Sequence, residues 1–167
     1  TDDKIFDVVC NCPVEIINFG DNLAAEFLSP KLFEKWLLPV YQRRSDQLRR
    51  AGKASHSHWD GSCRMLLPYI KETGLDGIEA LTPQPQGDVT LQEIRAAMGE
   101  KQILLDGIPC THFMPQHTPQ ELADFTREII DLFAPYLVLG ISDEISPPGD
   151  IEKVRLVSEL VESIPLD

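Results

Sequence analysis

Ala54-Ser55-His56-Ser57-His58-Trp59-Asp60-Gly61 holds half of the four histidines of this chain in eight residues. Side chains along a β-strand alternate faces with period two. If this segment ends a strand, Ala54, His56, His58 and Asp60 point to one side. Imidazole and carboxylate groups side by side serve two chemistries. They pass protons, and they ligate zinc or another divalent ion. A third group of that kind, Glu79, lies in a later segment of strand character. His56, His58, Asp60 and Glu79 are therefore the candidate metal ligands. His58, Asp60 and Glu79 are also candidate proton-transfer residues. The alternative for His56 is a packed core histidine, and for His58 a simple hydrogen bond to a carboxylate.

Such residues need strands to hold them. Short apolar or β-branched runs recur at Val14 to Phe19, Lys53 to His58, Gly77 to Leu81, Gln102 to Ile108 and Tyr136 to Ile141. Amphipathic stretches separate them. Pro30 to Ala51 carries Leu32, Phe33, Trp36, Leu37, Val40 and Leu48 at helical spacing, with Ser29 as N-cap and Gly52 as the stop. Pro39 is expected to kink it. Further helices are expected over Ser62 to Thr73, over Thr90 to Met98 behind a Thr90/Glu93 capping box, and from Thr118-Pro119 through Phe133. Asp150 opens the last helix, and Asp2 to Cys10 forms a helix before the first strand. Strict alternation of helix and strand implies a parallel sheet with right-handed crossovers. No glycine-rich phosphate loop follows any strand, so the dinucleotide-binding version is weak.

In parallel α/β folds reactive groups sit at the carboxyl ends of the strands. Polar residues recur there. Asp21 and Asn22 follow the first strand, Asp106 ends the fourth with His112 beyond it, and Asp143 follows the fifth. Asn22, Asp106, His112 and Asp143 are candidate substrate contacts. Each alone reads equally as a helix cap or loop residue.

Composition narrows the function. The 167 residues suffice for one domain, and 43% hydrophobic with 25% charged content is that of a soluble globular protein. A net charge of −12 argues against a nucleic-acid or anionic-membrane surface. Arg43, Arg44, Arg49 and Arg50 read as a solvated helix face. No apolar run reaches the roughly 18 residues of a membrane span. The four cysteines read as free thiols of a cytoplasmic protein, and Cys10-Asn11-Cys12 lacks the spacing of a redox or zinc motif. The chain begins with Thr1, and an upstream segment is expected.

Four blocks carry a resemblance. They are Asn18-Phe19-Gly20-Asp21-Asn22 with Ser29-Pro30-Lys31-Leu32-Phe33 and Leu38-Pro39; His56-Ser57-His58-Trp59-Asp60-Gly61; Gly74 to Pro83 with Gly87-Asp88; and Leu139 to Ile145 with Pro147-Pro148. Together they resemble the C-terminal part of the uroporphyrinogen decarboxylase superfamily, which includes corrinoid-linked methyltransferases. The resemblance implies a (β/α)8 TIM barrel, of which this single-domain chain supplies about the last five parallel strands. The methyltransferase branch holds zinc with a His-x-Cys pair and a later Cys. Here His58 stands in place of that Cys, and Ser142 and Asp143 stand in the last loop. Thiolate-rich coordination is not supported, which leaves a harder His/carboxylate site.

Three readings stay open. The first is a methyltransferase-like enzyme acting on a methylated small molecule, with a corrinoid protein or thiol as acceptor. The second is uroporphyrinogen decarboxylation, which uses no metal or cofactor. The resemblance then implies that Asp21 steadies the pyrrole N–H groups. The third is a non-catalytic half-barrel that pairs with itself or with a missing N-terminal half. Five strands cannot close an eight-stranded barrel. The isolated chain is therefore expected to self-associate and to be a poor catalyst.

Overall fold

The computed structural model describes residues 2–165. Five parallel strands form one sheet in the order β1-β2-β3-β4-β5. They are β1 Ile16–Leu23, β2 Ala54–Trp59, β3 Gly77–Ala80, β4 Ile103–Ile108 and β5 Leu137–Ile141. Spatial order equal to chain order means that every crossover advances the same way. Right-handed crossovers then put all the connecting segments on one face. This is the winding of a barrel arc and not of a doubly wound sheet. The fold is a partial TIM-barrel-like α/β arrangement.

The connecting layer contains α1 Asp2–Asn11, α2 Pro30–Leu32, α3 Leu38–Arg50, α4 Leu91–Ala97, α5 Pro119–Phe133 and α6 Ile151–Glu162. Capping boxes start α4 at Thr90/Glu93 and α5 at Thr118/Glu121, and Asp150 caps α6. Each satisfies amide groups that the first helical turn leaves free. Between α2 and α3 the helix widens into a π turn over Phe33–Leu37. Pro39 follows it and can donate no bond to the preceding turn, which accounts for the irregularity.

Expectation and structure part at three places. Ser62 to Thr73 is not a full helix. Only Leu67–Glu72 coils, as a 3-10 segment, and Pro68, which has no amide to donate, stands in the middle of the expected helix. β1 runs on to Leu23, so Asp21 and Asn22 lie inside it. Arg44 is not solvated: it is 2% exposed, bonded to Asp3 at 2.6 Å and stacked over Phe6.

The core lies between sheet and helices. Phe33, Tyr41, Trp59, Ile78, Ile94, Leu104 and Phe133 are buried there. Phe33 meets Trp59 edge-on at 5.5 Å, a favoured geometry for two aromatic quadrupoles. Two buried lysines pin loops to this layer. Lys53 Nζ donates to Cys12 O and Val14 O at 2.7 and 2.5 Å. Lys153 Nζ donates to His112 O, Met114 O and His117 O at 3.1, 2.6 and 2.5 Å. The opposite sheet face carries no such layer among the described residues, and Ile16 and Val138 are 63% and 56% exposed on it. No described helix is long and apolar enough to cross a membrane.

Candidate active site

Burial along β2 settles its parity. Ser55, Ser57 and Trp59 are buried against the helices, whereas Ala54, His56 and His58 face the opening. The register sets His58 beside Glu79 of β3, and Glu79 beside Leu105 of β4. Gly77, opposite His56, keeps the space between them clear: a Cβ there would lie 2.6 Å from Leu105 Cδ1.

Glu79 is the hub of the open face. Asn18 Nδ2 of β1 donates to its Oε2 at 2.9 Å. His56 Nδ1 lies 2.9 Å from the same oxygen, and His58 Nδ1 lies 3.5 Å from Oε1. The His56 distance is that of a hydrogen bond, yet His56 Nδ1 is buried without an aligned partner. Distance and direction disagree, and direction decides, because a misaligned N–H gains little. The contact is a close approach that leaves bonding capacity unused. His58 is too far for a direct bond.

Asp106 joins this group from β4. Its backbone has φ of 74°, in the left-handed region that non-glycine residues avoid. Burial first, and then the Glu79 charge, push its carboxyl up to about 6, against a smaller opposing effect of His58. Ala80 and Leu81 at the end of β3 also have positive φ, 67° and 32°. Strain at strand ends beside polar groups is typical of functional sites.

Asn22 stands in register with His58 on the open side. Asp60 closes β2 at the rim, where its Oδ1 accepts from Gly61 N at 2.5 Å and Thr82 Oγ1 at 3.2 Å. Cys110 lies at the same rim, and burial together with the Asp143 and Asp60 charges raises its thiol pKa. That is the reverse of a thiolate nucleophile. Asp143 is exposed and accepts its neighbour's amide, Glu144 N, at 2.8 Å.

Two expected site residues lie elsewhere. Asp21 points to the helix side, where Tyr41 donates to its Oδ2 at 2.7 Å. The cause is alternation along β1, which gives Asp21 the parity opposite to Asn18 and Asn22; the strand also bends, since Asn18 and Asn22 are four apart yet pair with His56 and His58, two apart. Gly20, with φ of 72°, makes that bend, and Asn18 Oδ1 takes its amide. His112 sits in the 3-10 turn Cys110–Phe113, under α5. It stacks on His117 at 4.6 Å and packs on Phe125 at 4.5 Å. Burial lowers its pKa to about 4, with the His117 charge the next cause. Asn18 was not among the expected site residues, although strand parity from Ile16 would have marked it.

The donors do not fit a metal. No group of three or more His, Cys, Asp or Glu among the described residues is arranged to hold an ion. Both imidazoles turn Nδ1 toward Glu79 itself rather than toward a shared point, and Asp60 is engaged at the rim. No step is derived through a metal.

Comparison with known proteins agrees with the barrel-arc fold. Residues 6–164 match the family model described as uroporphyrinogen decarboxylase (URO-D). The methylated-thiol–coenzyme M methyltransferase of Methanosarcina mazei is 25% identical over 107 residues, 64% of this chain and 27% of that protein. A solved structure, a methyltransferase from Methanosarcina mazei, superposes with a TM-score of 0.72 at 13% identity. That superposition covers 95% of this chain and 46% of the other, a likeness of fold. The chain thus spans less than half the length of the relatives it matches.

Proposed function

The chain belongs to the uroporphyrinogen decarboxylase family, and from that premise we propose that it carries half of a methyl-transfer site. The substrate is a methylated small molecule, and the acceptor is a thiol or a corrinoid protein. The observation that carries this reading is the charge of the open face. It gathers Asn18, His56, His58, Glu79 and Asp106, while no strand bears a Lys or Arg. A tetrapyrrole with many carboxylates needs cationic partners, so this face favours a small substrate. Asp21, the residue the decarboxylase reading would use, is bonded to Tyr41 behind the sheet.

The roles follow from position. Glu79, fixed by Asn18, places a carboxylate beside both imidazoles. His58, nearer the strand end, is the base that takes the acceptor thiol's proton. Asn22, Asp60 and Asp143 line the rim toward the substrate. The matched relatives are more than twice as long as the aligned region, and β1 and β5 end the described sheet with open edges. Further chain, or a second copy, closes the pocket.

The test uses the longer parent protein. Replacing His58, the base, with Gln lowers methyl transfer about a hundredfold or more, the scale of a lost acid–base group. Tetrapyrrole decarboxylation by the parent, with no methyl transfer to thiol or corrinoid, would refute the proposal. The isolated chain is expected to sediment as an oligomer and to turn over far more slowly than the parent. A fully active monomer removes the half-site reading.

A further inference from the structure

We propose that Asp106 is a proton donor to the leaving atom of the substrate on the open face. The inference rests on the methyl-transfer reading and assigns a role within the same site.

Three features of position support it. The Asp106 backbone is held at φ of 74° and Gly107 follows at 99°, so the end of β4 bends to deliver this side chain. On β5 the residue it meets is Gly140, where a Cβ would collide with Asp106 Oδ1. Any other residue at 140 would displace the carboxyl. The cradle is therefore matched to the acid from both strands.

Charge completes the argument. The groups that face Asp106 are Glu79 from β3 and His58 from β2, while β5, with Leu139 and Gly140 beside it, presents no charged group. No hydrogen bond contributes to its shifted titration. Glu79, by contrast, accepts from Asn18 and faces both histidines. Two neighbouring carboxyls in unlike surroundings divide acid from base. Asp106 is the carboxyl whose proton is held to higher pH, up to about 6, and which can therefore act as the acid.

The step balances as a transfer without oxidation or reduction. The bond between methyl carbon and heteroatom breaks, and its electron pair goes to the heteroatom. A thiol acceptor's sulfur forms the new bond to the methyl carbon. Asp106 gives its proton to the heteroatom as it leaves. The acceptor's proton, taken by His58, returns to the Asp106 carboxylate.

A donor whose leaving group departs neutral, such as a methylated onium, needs no such proton. A neutral methyl–heteroatom donor does. In the parent enzyme, Asp106→Asn should lower kcat/KM about a hundred- to ten-thousand-fold with the neutral donor, the span of general acid catalysis. With the onium donor the loss should stay under about tenfold, since no proton is asked for. Equal losses with both donors would mean a packing or binding role and overturn the proposal. If the parent transfers methyl from neither donor, the functional reading fails. Carbon-13 titration of the parent's Asp106 carboxyl then decides the inference. A carboxyl still protonated at about pH 5 sustains a proton donor, and one fully ionised there overturns it.

Discussion

Toward the helices, β2 presents Ser57, whose Oγ lies 2.8 Å from Tyr41 Oη, itself bonded to Asp21. Ser55 gives its amide to Asp76 at 2.9 Å. Toward the opening, the same strand presents His56, with a buried Nδ1 that lacks an aligned partner, and His58, 3.5 Å from Glu79. On β4, Leu104 packs in the core while Asp106 takes a strained backbone and makes no compensating bond. The helix side spends its polar groups on each other, which is how buried polarity becomes neutral or favourable. The open side leaves capacity unspent, as a site does when a ligand supplies the missing partner. Exceptions outside the open-face cluster are Trp59 Nε1, Gln86 Oε1, Thr111 Oγ1, His112 Nδ1 and Ser142 Oγ, buried without a partner.

Replacing Lys153 with Met tests the satisfied face hardest. It removes one buried ammonium and leaves His112 O, Met114 O and His117 O without their donor. Bonds to a charged group and newly orphaned acceptors together cost about 3 kcal/mol or more. Urea unfolding reads this directly. A loss below about 1 kcal/mol would mean that water replaces the ammonium freely and that the contrast of faces is weaker than drawn.

Asp106→Asn should act in the opposite direction. The native state resists ionising this carboxyl, which is raised from 3.8 to about 6. At neutral pH the wild type carries that cost and the amide does not. Asp106 is only half-buried, so solvent screening reduces the gain to on the order of 1 kcal/mol. The variant is then more stable and less active, the usual sign of a strained functional group. A urea midpoint that falls would place Asp106 with the structural residues.

How much of this was legible in the sequence follows from how local each signal is. Capping boxes at Thr90 and Thr118 need three residues of sequence, and both formed. The parity of His56 and His58 needs only strand alternation. The segment Ser62 to Thr73 has helical composition, but Pro68 sits inside it and only a 3-10 turn forms from Leu67. Asp21 was misplaced because it was read as following the strand, whereas β1 runs on to Leu23 and alternation from Ile16 turns residue 21 toward the helices. His112 shares the composition of a site residue, yet a 3-10 turn carries it under α5. Asp106 was visible as a strand-end acid. Its backbone strain and its fit to Gly140 are long-range facts.

The smallest expected effect concerns acid stability, where the two faces oppose each other. Asp106 keeps its proton in the native state up to about 6, while the unfolded chain loses it near 3.8. Between those values the native state binds more protons, so this group's contribution falls as pH rises. His112 has a native value of about 4 against 6.5 unfolded. Across that window the unfolded state binds more protons, so its contribution rises with pH. The windows overlap and the signs oppose, so wild-type stability should change little between about pH 4.5 and 6. Asp106→Asn removes one side, and stability should then climb with pH through that range. His112→Gln removes the other, and stability should decline. The lowered carboxyls Asp3, Glu26, Glu93 and Glu121 add a rise with pH only toward the lower edge of this window, alike in wild type and both variants. Urea midpoints at the two ends of the window measure the slopes. Parallel slopes in wild type and both variants would show that neither face stores a displaced proton.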